Sequence, residues 1–362
     1  MTDPLGTGAE RPIDLRTDAM TYPTDTMWAA MRTADLGWAV AGEDGSVTAL
    51  EQLAAELLGH RAAVFVPTGS MGNLVALMSH AERGQQIVLE ASSHLIETEG
   101  ASIGYVCGLV TRPLEGDRGR LDPGAVRAAI ADRKLSDRPA TAVVCVENTH
   151  NAAGGAVLSS ADVEPVLAVA REHGVRTHLD GARLLNAAAA LGCAPRELAE
   201  TFDSVVLSLN KGLSAPLGAV LCGDPAFALR ARANLKRLGA HSFHQAGIYA
   251  AAGIAALETM LEQPAADNRT ARQLADHLAA LPGLGVDPES VDSNIVVAKV
   301  LDPEIEPNAY LDALLRAGVR ALSFGDRTLR FVTHRHFRDE DVRRVAAAVE
   351  GALAEFAAAR VP

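Results

Sequence analysis

The feature that most constrains this chain is an alternation. Short runs rich in Val, Leu, Ile and Ala recur between segments with helical spacing. From Thr48 the apolar positions Leu50, Leu53, Ala54, Leu57 and Leu58 form one helical stripe, which Gly59 is placed to stop. Ala62–Val66 then reads as a buried strand. Pro67-Thr68-Gly69-Ser70 turns the chain into a helix over Met71–Ala81. Strands are predicted at Gln86–Glu90, Thr141–Glu147, Val175–Asp180, Ser204–Ser208 and Leu217–Cys222. Helices are predicted at Pro123–Asp132 and at Ser160–His173, the latter closed by Gly174. Strands this short and apolar are covered on both faces. The expected class is therefore α/β, a mostly parallel central sheet with helices on either side.

A long Ala-rich helical region is expected over about Asp224–Leu261, with Gln263-Pro264 as a boundary. Beyond it, a helix (Arg269–Leu281), a strand (Asn294–Val300), a helix (Asn308–Ala317), a strand (Thr328–Val332) and a helix (Asp339–Ala358) make a smaller α/β unit. The expected division is 1–262, an N-terminal arm and large domain, and 263–362, a small C-terminal domain. Residues 1–12 read as a loose leader.

With 362 residues the chain can bury a large core, and its net charge of −12 argues against nucleic acid as a partner. It lacks the run of about 18 apolar residues that a membrane span needs. Met1 to Pro12 lacks the basic start and apolar block of a secretory signal. The cysteines Cys107, Cys145, Cys193 and Cys222 show no C-x-x-C or zinc spacing. Cys107, Cys145 and Cys222 lie in apolar, strand-like runs and read as buried thiols of a reducing compartment, hence the cytoplasm.

No G-x-G-x-x-G follows a strand, and no P-loop, H-E-x-x-H or G-x-S-x-G occurs. The chemistry must come from single residues at strand ends, where open parallel sheets place their ligands. Lys211 follows an apolar strand, as an amine nucleophile or as a lysine that snorkels to solvent. Asp180 ends another, either to face a cation or to cap a helix. Arg183 suits a carboxylate, Asp180 included. Gly69 and Ser70 open a helix after a strand, where free amides and a hydroxyl favour a phosphate. His94 is an imidazole that can stack or move protons, and Glu147-Asn148-Thr149-His150-Asn151 is an unusually polar run at a strand end. His334 and His336 form an H-x-H pair, read as a solvated loop; no metal site is expected. Together a lysine, a strand-end carboxylate, an amide-rich turn and an imidazole are the parts that hold pyridoxal phosphate.

The chain resembles the threonine aldolase branch of the β-eliminating lyases, pyridoxal phosphate enzymes of the aspartate aminotransferase fold. The likeness runs from Ile13 to about Phe356. It is carried by Ile13-Asp14-Leu15-Arg16-Thr17-Asp18, Gly42-Glu43-Asp44, Pro67-Thr68-Gly69-Ser70-Met71-Gly72-Asn73, Glu147-Asn148-Thr149-His150-Asn151, His178-Leu179-Asp180-Gly181-Ala182-Arg183, Lys211-Gly212-Leu213-Ser214-Ala215-Pro216-Leu217-Gly218, Gln245-Ala246-Gly247 and Arg330-Phe331-Val332-Thr333-His334.

The resemblance implies roles. Lys211 is similar to the lysine that bonds the cofactor, Asp180 to the acid that pairs with its ring nitrogen, and His94 to the imidazole that stacks on the ring. Gly69 and Ser70 match the phosphate turn. Arg183, Thr17 and Arg330 match positions that hold the substrate carboxylate. It implies cleavage of a β-hydroxy-α-amino acid of the threonine type to glycine and an aldehyde, with His94 and His150 as candidate bases. Sites shared between subunits of a dimer or tetramer follow from the same likeness. The chain departs from the pattern at Thr17, Ala41 and Asn210. It departs most at Gly239-Ala240-His241-Ser242-Phe243-His244, where His244 stands in place of an arginine that helps bind phosphate. These departures leave β-elimination, racemisation or aldehyde transfer as the alternative reaction.

Overall fold

The computed structural model describes residues 12–131, 139–240, 244–325 and 327–358. They form two compact units. One runs from Thr21 to Ala265; the other joins the arm up to Met20 to the chain from Ala266 onward. The leader through Arg11, the expected helix end at Asp132 and positions 241–243 lie outside the described residues.

The first unit is built on a seven-stranded sheet. Its strands are β1 (Ala62–Val66), β2 (Gln86–Glu90), β3 (Val110–Leu114), β4 (Thr141–Glu147), β5 (Arg176–Asp180), β6 (Ser204–Ser208) and β7 (Ala219–Gly223), in the spatial order β1-β7-β6-β5-β4-β2-β3. β2 to β6 pair in parallel, and β7 runs antiparallel to both β1 and β6. Every residue of β2, β6 and β7 is buried, which is why the centre of each reads as an apolar run.

Local chemistry sets the helix ends. The Asp44 side chain accepts the Val47 amide and starts the helix Gly45–Leu58, three residues ahead of the expected Thr48; Gly59, at φ 71°, ends it. Thr68 caps Gly69–His80 by accepting the Met71 amide, so that helix begins at Gly69, not Met71. Gly72 allows this helix to lie close on the sheet: a Cβ there would stand 2.6 Å from Val206 Cγ2.

Several expectations are corrected. The strand expected at Leu217–Cys222 is Ala219–Gly223, with Gly218 turning the chain before it at φ 106°. The region Asp224–Leu261 is two helices, Pro225–Arg237 and Gly247–Thr259. Asp224 caps the first, and Gly239 in the left-handed region follows its end. Cys107 is buried but lies on a helical turn, Ile103–Cys107, not a strand. All four cysteines are free, and burial pushes the Cys107 thiol up to about 11.

The second unit carries a four-stranded antiparallel sheet. It comprises β8 (Leu284–Gly285), β9 (Ile295–Val300), β10 (Leu322–Ser323) and β11 (Thr328–Val332), in the order β8-β9-β11-β10. The helices Pro307–Arg316 and Asp339–Ala358 belong to it. Ile13–Asp14 pairs in parallel with Val319–Arg320, and Leu15 is fully buried in this unit's core. The arm thus clusters with the C-terminal unit, where sequence reading had joined it to the large domain. Gln263-Pro264 opens the helix Gln263–Ala279, since a proline in a first turn lacks only an amide the helix has no use for. Among the described residues no helix is long and apolar enough to cross a membrane.

Candidate active site

The parallel strands of the first unit end on one edge of its sheet. Ala219 of β7 pairs with Val66 and with Ser208, so the ends of β1 and β6 stand level. Asp180 pairs with Val206 on one side and with Glu147 on the other. Gly69 and Ser70 therefore follow β1 at this edge, and His94 follows β2. Glu147 ends β4, Asp180 ends β5, and Lys211 follows β6.

Asp180 is 2% exposed. Its Oδ2 accepts from Asn73 Nδ2 at 3.0 Å and its Oδ1 from the Ala182 amide at 3.2 Å. The second bond is an Asx-type turn; the next helix begins only at Leu184, so Asp180 does not cap it. Among the described residues the hydrogen bonds to this buried carboxylate come from neutral N–H groups. A buried carboxylate without a paired cation is costly, so the position suits a cationic ligand group.

His94 is half-buried, with Nε2 3.3 Å from Glu99 Oε1. That hydrogen bond to Glu99 holds its imidazole above the usual histidine range. Its amide donates to Glu147 Oε2 at 2.7 Å, and the Asn151 amide donates to Glu147 Oε1 at 2.8 Å. Burial pushes the Glu147 carboxyl up.

His150, the second candidate base, is enclosed. It has no exposed surface, its Nδ1 accepts the Ala153 amide at 3.3 Å, and its Nε2 lies 3.0 Å from Glu90 Oε2. Gly119 packs on the ring so closely that a Cβ would stand 2.6 Å from it. The ring is enclosed and braces the polar run 147–151.

Lys211 is partly exposed. Its carbonyl accepts from the Thr21 hydroxyl and from the Ser214 amide, each at 2.9 Å. Ser214, at φ 63°, closes this loop in a region unusual for a residue with a side chain. The Gly69 and Ser70 amides precede the first bond of their helix, and Ser70 is exposed. Arg183 is buried, with Nη1 donating to Asn151 Oδ1 at 3.4 Å. Ala182, Arg183, Ser208 and Gly212 line one small cavity.

Thr17 and Arg330 belong to the second unit. The Thr17 hydroxyl accepts the Ala19 amide at 3.2 Å, and the buried Arg330 guanidinium sits 5.2 Å from the Phe324 ring centre. His244 is exposed in the turn before Gly247–Thr259. His334 Nε2 donates to the Asp14 carbonyl at 2.7 Å, so this histidine is part of the arm's attachment.

Sequence reading assigned nothing to Asn73 and Glu99, both buried here. Asn73 lies one helical turn beyond Gly69 and Ser70 and so shares their end of the sheet. That spacing was the signal available.

This sheet order, with the lysine loop and carboxylate at adjacent parallel strand ends, is the pyridoxal-phosphate-dependent transferase fold of type I. A solved threonine aldolase of Leishmania major has this fold at a TM-score of 0.80 and 19% identity, covering 94% of this chain and 99% of that one. A Sphingomonas wittichii serine palmitoyltransferase shares it at a TM-score of 0.74 and 19% identity, over 96% and 88%. The chain belongs to the β-eliminating lyase family, which it matches over residues 14–301, and is an enzyme of that lyase class. It is 34% identical over 347 residues to low-specificity L-threonine aldolase 1 of Arabidopsis thaliana, covering 95% of this chain and 97% of that one. The low specificity L-threonine aldolase of Escherichia coli K12 is 34% identical over 340 residues, covering 92% and 97%.

Proposed function

We propose that the chain binds pyridoxal phosphate and cleaves a β-hydroxy-α-amino acid of the threonine type to glycine and an aldehyde. The observation that carries this reading is Asp180, a buried carboxylate held by the neutral donors of Asn73 and Ala182 beside the Lys211 loop. A protonated ring nitrogen is the cation that such a carboxylate lacks. The exposed Ser70 and the open amides of the Gly69 helix start fit the phosphate dianion. Bound there, the cofactor supplies a sink for the electron pair left when a bond to Cα breaks.

The chain's own residues do the rest. The Lys211 amine would hold the cofactor. Asp180 would hold a proton on its ring nitrogen, so that the group could accept negative charge beside a positive one. Arg183 is assigned to the substrate carboxylate; the resemblance gives Thr17 and Arg330 the same task. His94 is assigned to the ring face and to the β-hydroxyl proton as base, its rival His150 having no exposed surface. His244 is retained as a phosphate neighbour contributed to another copy of the chain. Assembly of the chain with itself is supported by Trp28 and Trp38, 42% and 56% exposed. The buried free thiols support a reducing, cytoplasmic setting.

The test is incubation of the pyridoxal-phosphate-loaded chain with threonine, allo-threonine and phenylserine stereoisomers, assaying glycine and aldehyde. Release of both is expected, with no multiple turnover by Lys211→Ala. Multiple turnover by that variant would refute the assignment.

A further inference from the structure

Asn73 has a second partner, and behind it stands a line of hydrogen-bonding groups with no part in the chemistry above. Asn73 Oδ1 lies 3.0 Å from His178 Nε2, His178 Nδ1 lies 2.8 Å from Ser204 Oγ, and Ser204 Oγ lies 2.8 Å from His80 Nε2. His178 and Ser204 have no exposed surface, and the His80 ring stacks on Phe227 at 4.6 Å.

The direction of every bond follows from what each group can donate. Asp180 Oδ2 and the Glu99 carboxylate, 3.0 and 3.3 Å from Asn73 Nδ2, are acceptors when ionised, so the Asn73 NH₂ must face them. The Asn73 oxygen then faces His178, whose Nε2 must carry a proton. Burial holds His178 down to about 4, so its ring is neutral at pH 7 and Nδ1 accepts from the Ser204 hydroxyl. The Ser204 oxygen in turn accepts from His80 Nε2. His80, held down to about 3 chiefly by burial, is neutral as well, and its Nδ1 is a buried atom with no partner. The charged groups near this far end are Asp203, Arg176 and Arg230; at the near end they are Asp180 and Glu99. Each donor therefore points toward Asp180, and none of the links can be reversed without an acceptor meeting an acceptor.

We infer that His178, Ser204 and His80 are positioning residues for Asp180, acting through Asn73. The line fixes the Asn73 amide with its NH₂ toward the carboxylate and, by mutual polarisation, strengthens the bond that holds the Asp180 carboxylate in place to face a cationic ring nitrogen. The inference rests on the reading of Asp180 given above.

The experiment uses pyridoxal phosphate as the probe with the full chain and its Ser204→Ala and Asn73→Ala variants. It measures the cofactor's dissociation constant and the pH midpoint of the bound cofactor's absorbance, alongside the thermal midpoint of the cofactor-free chain. A ring nitrogen whose proton is held less firmly leaves less positive charge in the ring, and the lysine-bound nitrogen then keeps its proton to higher pH. Asn73→Ala is expected to weaken binding roughly tenfold, the worth of one charge-assisted bond, and to raise the pH midpoint. Ser204→Ala is expected to shift both in the same sense by less, and it decides alone if Asn73→Ala fails to fold. Lower thermal midpoints with wild-type affinity and wild-type pH midpoint would mean a packing role only and would overturn the inference. Failure of the unaltered chain to bind the cofactor would instead overturn the reading of Asp180, and the inference with it.

Discussion

His94 Nε2 and Glu99 Oε1 meet at 3.3 Å, a half-exposed imidazole against a buried carboxylate. The bond raises the histidine's proton affinity, so in the fold His94 titrates above its ordinary value. Stabilisation from this pair is whole below the unfolded histidine value and fades as pH climbs through the raised midpoint. Glu99→Gln is expected to lower that midpoint, read by NMR of the His94 ring protons. As His94 is the assigned base, the rising limb of kcat/KM with pH should move down with it. A limb that stays in place while the NMR midpoint falls would remove His94 from that role.

The neutral His178 makes an opposite demand on pH. Its folded value, about 4, lies below the unfolded one, so the folded chain takes up fewer protons as the medium acidifies. Its stability contribution is present above the unfolded value of about 6.5 and is lost as pH falls toward the folded one. The loss between pH 7 and pH 5 is about 2 kcal/mol. Urea unfolding at the two pH values measures it. His178→Gln, which cannot titrate, is expected to be less stable at pH 7 but to show a flatter acid limb.

Asp180→Ala should leave the fold intact, since the lost side-chain bonds to Asn73 and Ala182 are not part of the backbone pairing of β5 with its neighbours. Its effect should fall on rate. A loss of about 10²-fold or more is expected for a group that stabilises developing charge. Far-UV circular dichroism and turnover of the loaded variant check both halves, and near-native turnover would contradict the assignment.

Gly72→Ala places a methyl where Val206 Cγ2 already stands, 2.6 Å away. The helix must lift from β6 or the valine must turn. The expected cost is about 1–3 kcal/mol, measured by denaturant unfolding. Asn73 shares this helix, so a lift should also weaken cofactor binding.

What could be read from the sequence follows from burial. β1, β2, β4 and β6 have the bounds expected of them because each carries an unbroken apolar run at its centre; β11 has its expected bounds although Arg330 interrupts its run. β3 was missed: among the described residues Val110-Thr111-Arg112-Pro113-Leu114 pairs only with β2, and an edge strand tolerates arginine and proline. The reversal of β7 left no mark, since a strand buried on both faces reads alike in either direction. Within the site, Asp180 and Lys211 stood out as polar residues ending apolar runs. Asn73 and Glu99 did not, because polar residues on helices read as solvated until the packing around them is known. The enclosure of His150 depends on Gly119, thirty-one positions away in sequence.

The single reversed strand has one more consequence. β7 fills the slot between β1 and β6, so the amide turn and the lysine loop are held apart by two strand spacings, about 10 Å. On the proposed reading that span would be bridged by the ligand and the Lys211 side chain together. An anion alone would engage one end and an amine-reactive carbonyl alone the other; a molecule carrying both would be gripped at the two ends at once.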